Sequence, residues 1–175
     1  MYRLPILLLL LAASGCSDEP AAPAASVPLR PQFTPGAGGI VREDLGQATF
    51  DIDKVKRVTG DWEVELEAKD GMEIAVRRFT YPPGSHTGWH KHPGPVFIQV
   101  VEGTVTFYEA DDPNCTPIVV HSGEAYLDLG EHGHIGRNES TDTRARDVTV
   151  LFGPPGTAPN DFRLDLSPAP GNCPF

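Results

Sequence analysis

The chain has 175 residues, room for one domain with extensions rather than two. Gly and Pro, at 18 each, make up about a fifth of it, which favours many turns over long helices and points to an all-β fold. Acidic residues outnumber basic ones 24 to 14 and the basic ones form no stripe, which excludes nucleic acid as a partner class.

The chain opens with Arg3, an apolar run from Leu4 to Ala13 interrupted only by Pro5, and small residues leading to Cys16. That run is too short to span a bilayer, which needs about twenty apolar residues, so residues 1–15 read as a removable export signal. Ala13-Ser14-Gly15-Cys16 resembles the lipobox of a bacterial lipoprotein signal. The resemblance implies that Cys16 becomes the acylated first residue of a chain held at the membrane on the exported face of the cell envelope. The alternative is an ordinary secretory signal cut nearby. Residues after Cys16 are rich in Ala, Pro and Ser without apolar periodicity, and a flexible tether is expected over 16–45.

From about Phe50 the pattern changes to short apolar runs broken by Gly, Pro and Asp, the spacing of a sandwich or barrel expected over 46–166. Strands are expected at Trp62 to Leu66, Met72 to Tyr81, Val96 to Val101, Thr104 to Glu109, Pro117 to Val120, Ala125 to Leu129 and Asp147 to Phe152. Alternation is clean in the first of these: Trp62, Val64 and Leu66 take one face, and Glu63, Glu65 and Glu67 the other. Residues 167–175 read as a coil tail lying along the barrel. After lipidation Cys115 and Cys173 are the remaining thiols, and outside the reducing cytosol a disulfide is expected, with two free thiols as the alternative. Closing that loop would be worth about 4 kcal/mol in the chain-entropy model.

Five of the six histidines fall into two clusters, His86, His90 and His92, then His132 and His134. In a strand, residues two apart project to one face, so His90 and His92 aim their imidazoles together while Lys91 turns away. Imidazole suits Zn, Fe, Ni and Cu, and a third histidine from a neighbouring strand would complete a metal-binding face. Spacing around the histidines sharpens the reading. Gly84-x5-His90-x-His92-x3-Val96-x6-Gly103 resembles the first cupin motif, and Gly123-x5-Leu129-x-Glu131-x2-His134-x3-Asn138 the second.

This resemblance to the cupin superfamily, and to small single-domain bacterial cupins within it, implies a double-stranded β-helix, the small jelly-roll barrel, over roughly residues 50 to 155. It implies metal ligation by His90, His92 and His134. His132 competes for the third position, since strand parity does not separate residues two apart. Val96 stands where the motif has a glutamate ligand, and Leu129 and Glu131 stand for its Pro and Gly. Gln99, at an odd offset from Val96, should turn outward. Three neutral imidazoles leave a divalent ion (Fe, Zn, Mn or Ni) its full charge, which favours a small anionic or chelating ligand and keeps positions open.

His86 and His121 are expected at the surface, His86 near enough to serve as a rim group. Trp89 is expected to pack, and Asn138 to stabilise a turn. Three functions stay open: a three-histidine metal-dependent oxygenase acting on a small chelating substrate, a non-catalytic metal- or ligand-binding lipoprotein, and a degenerate site. Glu73 and Tyr126 are the acid or base candidates near the motifs. Pairing of two copies through barrel edges is a further expectation from the resemblance.

Overall fold

The computed structural model describes residues 36–167 and 169–175. The expected export signal, Cys16 and the tether up to residue 35 lie outside the described residues. The strands are β1 (Val41–Phe50), β2 (Lys54–Thr59), β3 (Trp62–Glu67), β4 (Met72–Tyr81), β5 (His90–Lys91), β6 (Val96–Glu102), β7 (Thr104–Glu109), β8 (Ile118–His121), β9 (Ala125–Asp128), β10 (His134–Arg137), β11 (Ala145–Gly153) and β12 (Leu164–Asp165). Two five-stranded sheets, ordered β1-β4-β11-β6-β9 and β12-β5-β10-β7-β8, close over one core, and β2 and β3 pair only with each other. Every strand pair is antiparallel. This is the double-stranded β-helix expected from the two motifs.

Alternation builds the core. Val96, Ile98 and Val100 of β6 and Leu151 of β11 point inward and are buried, as are Val105 and Phe107 of β7. Phe107 stacks on Tyr126 of β9 with ring centroids 4.4 Å apart. Two turns are pressed together at the rim of the first sheet. A Cβ on Gly130, whose φ is +82°, would stand 2.4 Å from the carbonyl oxygen of Gly94, so that position accepts only glycine.

A second apolar cluster of Trp89, Tyr108, Ile135 and Cys173 lies under the C-terminal tail. The tail carries no strand or helix among its described residues. It is fixed by the disulfide from Cys173 to Cys115, with Cα atoms 5.3 Å apart. The Asn172 side-chain amide donates to the carbonyls of Glu109 (2.8 Å) and Asp112 (2.7 Å), and Phe175 packs edge-on against Tyr108.

Two findings depart from the sequence reading. Strand β1 begins at Val41, inside the stretch expected as tether, and pairs with β4 along its whole length. It is an edge strand whose inward side carries Arg42 and Asp44 instead of apolar groups, so it has no hydrophobic alternation to betray it. The expected strand at Trp62 to Leu66 is real, but it belongs to a hairpin with β2 outside the barrel sheets, and every one of its residues is exposed.

Candidate metal centre

His90 lies on β5 and pairs directly with His134, the first residue of β10. His92 follows β5 on the same side, and all three are buried while Lys91 is not. The ring centroids lie 4.9 Å apart for His90 and His92, 4.5 Å for His90 and His134, and 5.2 Å for His92 and His134. One nitrogen from each falls within 4.8 Å of the other two.

Hydrogen bonds orient the rings. His90 Nδ1 donates to the Gly88 carbonyl at 2.8 Å, and His92 Nδ1 to the Phe162 carbonyl at 2.5 Å. A carbonyl only accepts, so both Nδ1 atoms carry the proton and each Nε2 keeps its lone pair, the arrangement a metal-binding histidine needs. His134 Nδ1 lies 3.3 Å from Asp128 Oδ2. Both atoms are buried and have no hydrogen-bond partner among the described residues. Burial pushes the His90 imidazole well below its usual pKa, helped by Arg163 and the neighbouring histidines and opposed by the Gly88 carbonyl. His92 is pushed down by burial and by His134. Both rings are therefore neutral, ready to bind an ion without first losing a proton.

Asp128 is the residue sequence reasoning missed. It sits on β9 directly across from Val96, the position where the first motif would have its glutamate. Its Oδ2 lies 3.9 Å from His92 Nε2 as well as 3.3 Å from His134, and Oδ1 accepts the Gly130 N–H at 2.9 Å. Burial works to raise its pKa, but His134, the Gly130 N–H and His92 together hold it below the usual carboxylate value. An acidic residue at an inward position of a strand was the available signal, since Tyr126 and Asp128 alternate inward with Leu127 out.

The remaining histidines stand apart. His132 is exposed and pairs with Asp111 at 3.0 Å, so the cluster takes His134 and not its competitor. His121 is exposed beside Thr104. His86 is half-buried in a bridge between Ala37 and Arg137. Glu73 bonds Gln47 (2.8 Å) and Thr49 (2.6 Å), and Tyr126 donates to Glu109 (3.0 Å); neither lines the cavity in front of the histidines. Gln99 faces outward, Trp89 packs, and the Asn138 amide ties the carbonyls of Tyr81 and Thr143 at 3.0 and 2.8 Å.

The donor set fits a divalent ion of the imidazole-preferring kind: three imidazoles converging, with a buried carboxylate beside them. His90, His92 and His134 would hold it, and a divalent ion there would act as a Lewis acid toward a ligand entering the cavity. That cavity offers about 50 Å³ to the centres of water-sized spheres, room for a few waters or a small organic molecule. Behind it Tyr81 donates to the buried Asp147 at 2.8 Å. Burial raises the Asp147 carboxyl to about 6, against the hydrogen bonds from Tyr81 and Thr149.

Residues 77–150 match the family model described as Cupin domain (Cupin_2). The barrel has the cupin fold. Among solved structures, a cupin 2 conserved barrel domain protein from Leptotrichia buccalis is 18% identical, with a TM-score of 0.43 over 66% of this chain and 41% of that one. An uncharacterized conserved protein with a double-stranded β-helix domain from Klebsiella pneumoniae is 14% identical, with a TM-score of 0.45 over 71% and 84%. A polyketide cyclase from Streptomyces resistomycificus is 20% identical, with a TM-score of 0.42 over 55% and 64%. The chain spans about two fifths of the Leptotrichia protein's length. No curated protein matches the sequence. None of these likenesses assigns an activity.

Proposed function

We propose that the protein is an exported cupin in which His90, His92 and His134 hold a divalent metal ion that takes a small chelating molecule from the cavity, as a metal-dependent oxygenase. The observation that supports it most is the tie of both Nδ1 atoms of His90 and His92 to carbonyls, which leaves their Nε2 lone pairs free in a cluster where one nitrogen of each histidine lies within 4.8 Å of the others. Three protein ligands leave coordination positions open, which a structural site does not. The chain's own part is to hold the His90 and His92 rings in one tautomer, to keep those two neutral by burial, and to limit the ligand by the size of the cavity.

The second reading is a tethered binding protein without turnover. What favours it is the cavity lining, which among the described residues offers no carboxylate and only Tyr81 and the histidines as proton carriers, with the Tyr81 hydroxyl already committed to Asp147. Full-length protein from an export compartment, reloaded with iron(II) under argon, separates the two. Oxygen uptake on adding short hydroxy or keto acids, lost in His90→Ala, supports the oxygenase. Ligand binding without uptake supports the binding protein. The export half of the proposal rests on the sequence before Cys16, and Cys16→Ala should move the protein out of the membrane fraction or block its processing. Unchanged partition and unchanged mature mass would overturn it.

A further inference from the structure

The cavity in front of the histidines is lined by three arginines, Arg42, Arg77 and Arg163, and by no Asp or Glu among the described residues. Arg77 is an inward residue of β4 that is almost fully buried, with its guanidinium over the Phe162 ring, 5.3 Å from the centroid. Arg42 reaches in from the edge strand beside it, opposite Phe79. Arg163 comes from the segment that also fixes the histidines: the preceding carbonyl, that of Phe162, holds His92, and Asp165 pairs in register with His90.

Their charge is only partly matched. Arg42 and Arg77 share one carboxylate, Asp44, at 3.0 Å from each, and Asp44 is half exposed. Arg42 Nε is buried and has no hydrogen-bond partner among the described residues, and Arg77 Nε meets Asp44 as an ion pair without hydrogen-bond geometry. Burial, and then repulsion from Arg42, lowers the Arg77 guanidinium to about 10, with Asp44 opposing. Arg163 spends Nε on Asp165 (2.6 Å) and Nη2 on the Thr87 carbonyl (2.8 Å). A cavity wall that gathers one buried and two partly buried guanidiniums at this cost of desolvation, with fewer carboxylates than cations, is built for an anion.

We infer that the arginine wall seats a carboxylate of the ligand, which makes that ligand a short-chain organic acid with a second oxygen donor reaching the histidines. Guanidiniums bind carboxylates through paired N–H donors, which gives orientation as well as affinity. The small cavity restricts the acid to a few carbons. The second donor rests on the metal reading above; the carboxylate seat does not.

The test is calorimetry of the full-length protein with malonate, and with malonamide as its neutral counterpart. Zinc-loaded protein should bind malonate more tightly, and because zinc alone could cause that preference, the arginine variants decide. Arg163→Gln should weaken malonate binding about 10- to 100-fold, the usual loss for a charge-assisted hydrogen bond, with zinc content unchanged. Arg42→Gln, at the less buried edge strand, should weaken it in the same direction and serves if Arg163→Gln fails to fold. Malonate affinity within twofold of wild type in the folded variants overturns the seat while leaving the metal reading intact. If wild type holds no zinc, the same titrations on metal-free protein still decide: loss of malonate binding in the variants keeps the seat and discards the metal, and no dependence on the arginines discards the seat as well.

Discussion

Strand β4 and the hairpin β2–β3 stand next to each other in the chain, and β3 alternates apolar and charged residues more strictly than β4, yet β4 is largely buried and the hairpin is exposed throughout. In the hairpin, Val55, Val64, Leu66 and Trp62 share one face with Arg57 and Thr59, and Lys54, Lys56 and Val58 lie on the other with Glu63, Glu65 and Glu67. Lys54–Glu65 and Lys56–Glu63 pair at 2.7 and 2.8 Å on the charged face. The apolar face is exposed as well: Trp62 is 58% exposed, and Val55, Val64 and Leu66 are exposed too. In β4 the same period of two places Ala75, Arg77 and Tyr81 against β11, β1 and the core. Alternation therefore tells which residues share a face; whether that face is buried depends on a sheet from elsewhere in the chain being laid on it.

The comparison predicts a ranked set of effects. Phe107→Ala, at a fully buried position stacked on Tyr126, should cost about 3 to 5 kcal/mol in urea unfolding, since it removes a large side chain and leaves a cavity. A loss below about 1 kcal/mol would mean that the core is not where the fold puts it.

Next comes pH, on protein stripped of metal. Below about 6.5 the unfolded imidazoles take up protons, while His90 and His92 in the barrel stay neutral because their pKa is depressed. The unfolded state then binds more protons, so stability falls as pH falls. Asp147, raised to about 6, works the other way and cancels one of the two protons below that pH. The net expectation is a loss of about 1.4 kcal/mol from pH 6 to pH 5, and a stability that is flat or rising over that interval contradicts it.

Asp128→Asn should weaken zinc affinity by roughly 10- to 100-fold, the usual cost of removing a carboxylate that orients a ligating histidine, with little change in fold. Competition against a chromogenic chelator measures it, and unchanged affinity would reduce Asp128 to a packing role. Trp62→Ala, on the hairpin, should shift unfolding by less than about 0.5 kcal/mol. A loss comparable to that of Phe107→Ala would show that the hairpin's apolar face is covered in solution.

Much of the fold was legible because the barrel strands alternate and the glycines fall between them. The i, i+2 spacing of His90 and His92 and the motif position of His134 were enough to assemble the cluster. Strand β1 escaped because its inward side carries Arg42 and Asp44 instead of apolar groups, which leaves no hydrophobic alternation to detect. Asp128 escaped for another reason: the carboxylate looked for at Val96 along the chain is supplied across the ladder, and pairing register is not written in the spacing of either strand. The arginines of the cavity come from three distant segments, so only the folded barrel brings them together.

The central claim is that one divalent ion is held by His90, His92 and His134. Elemental analysis of full-length protein purified from an export compartment, without added metal, tests it most directly. The account predicts close to one ion per chain in wild type and in His121→Ala, and almost none in His90→Ala, His92→Ala or His134→Ala. Metal-free wild type that also fails to take up zinc or iron(II) on reconstitution, or full occupancy retained in His90→Ala, would contradict it.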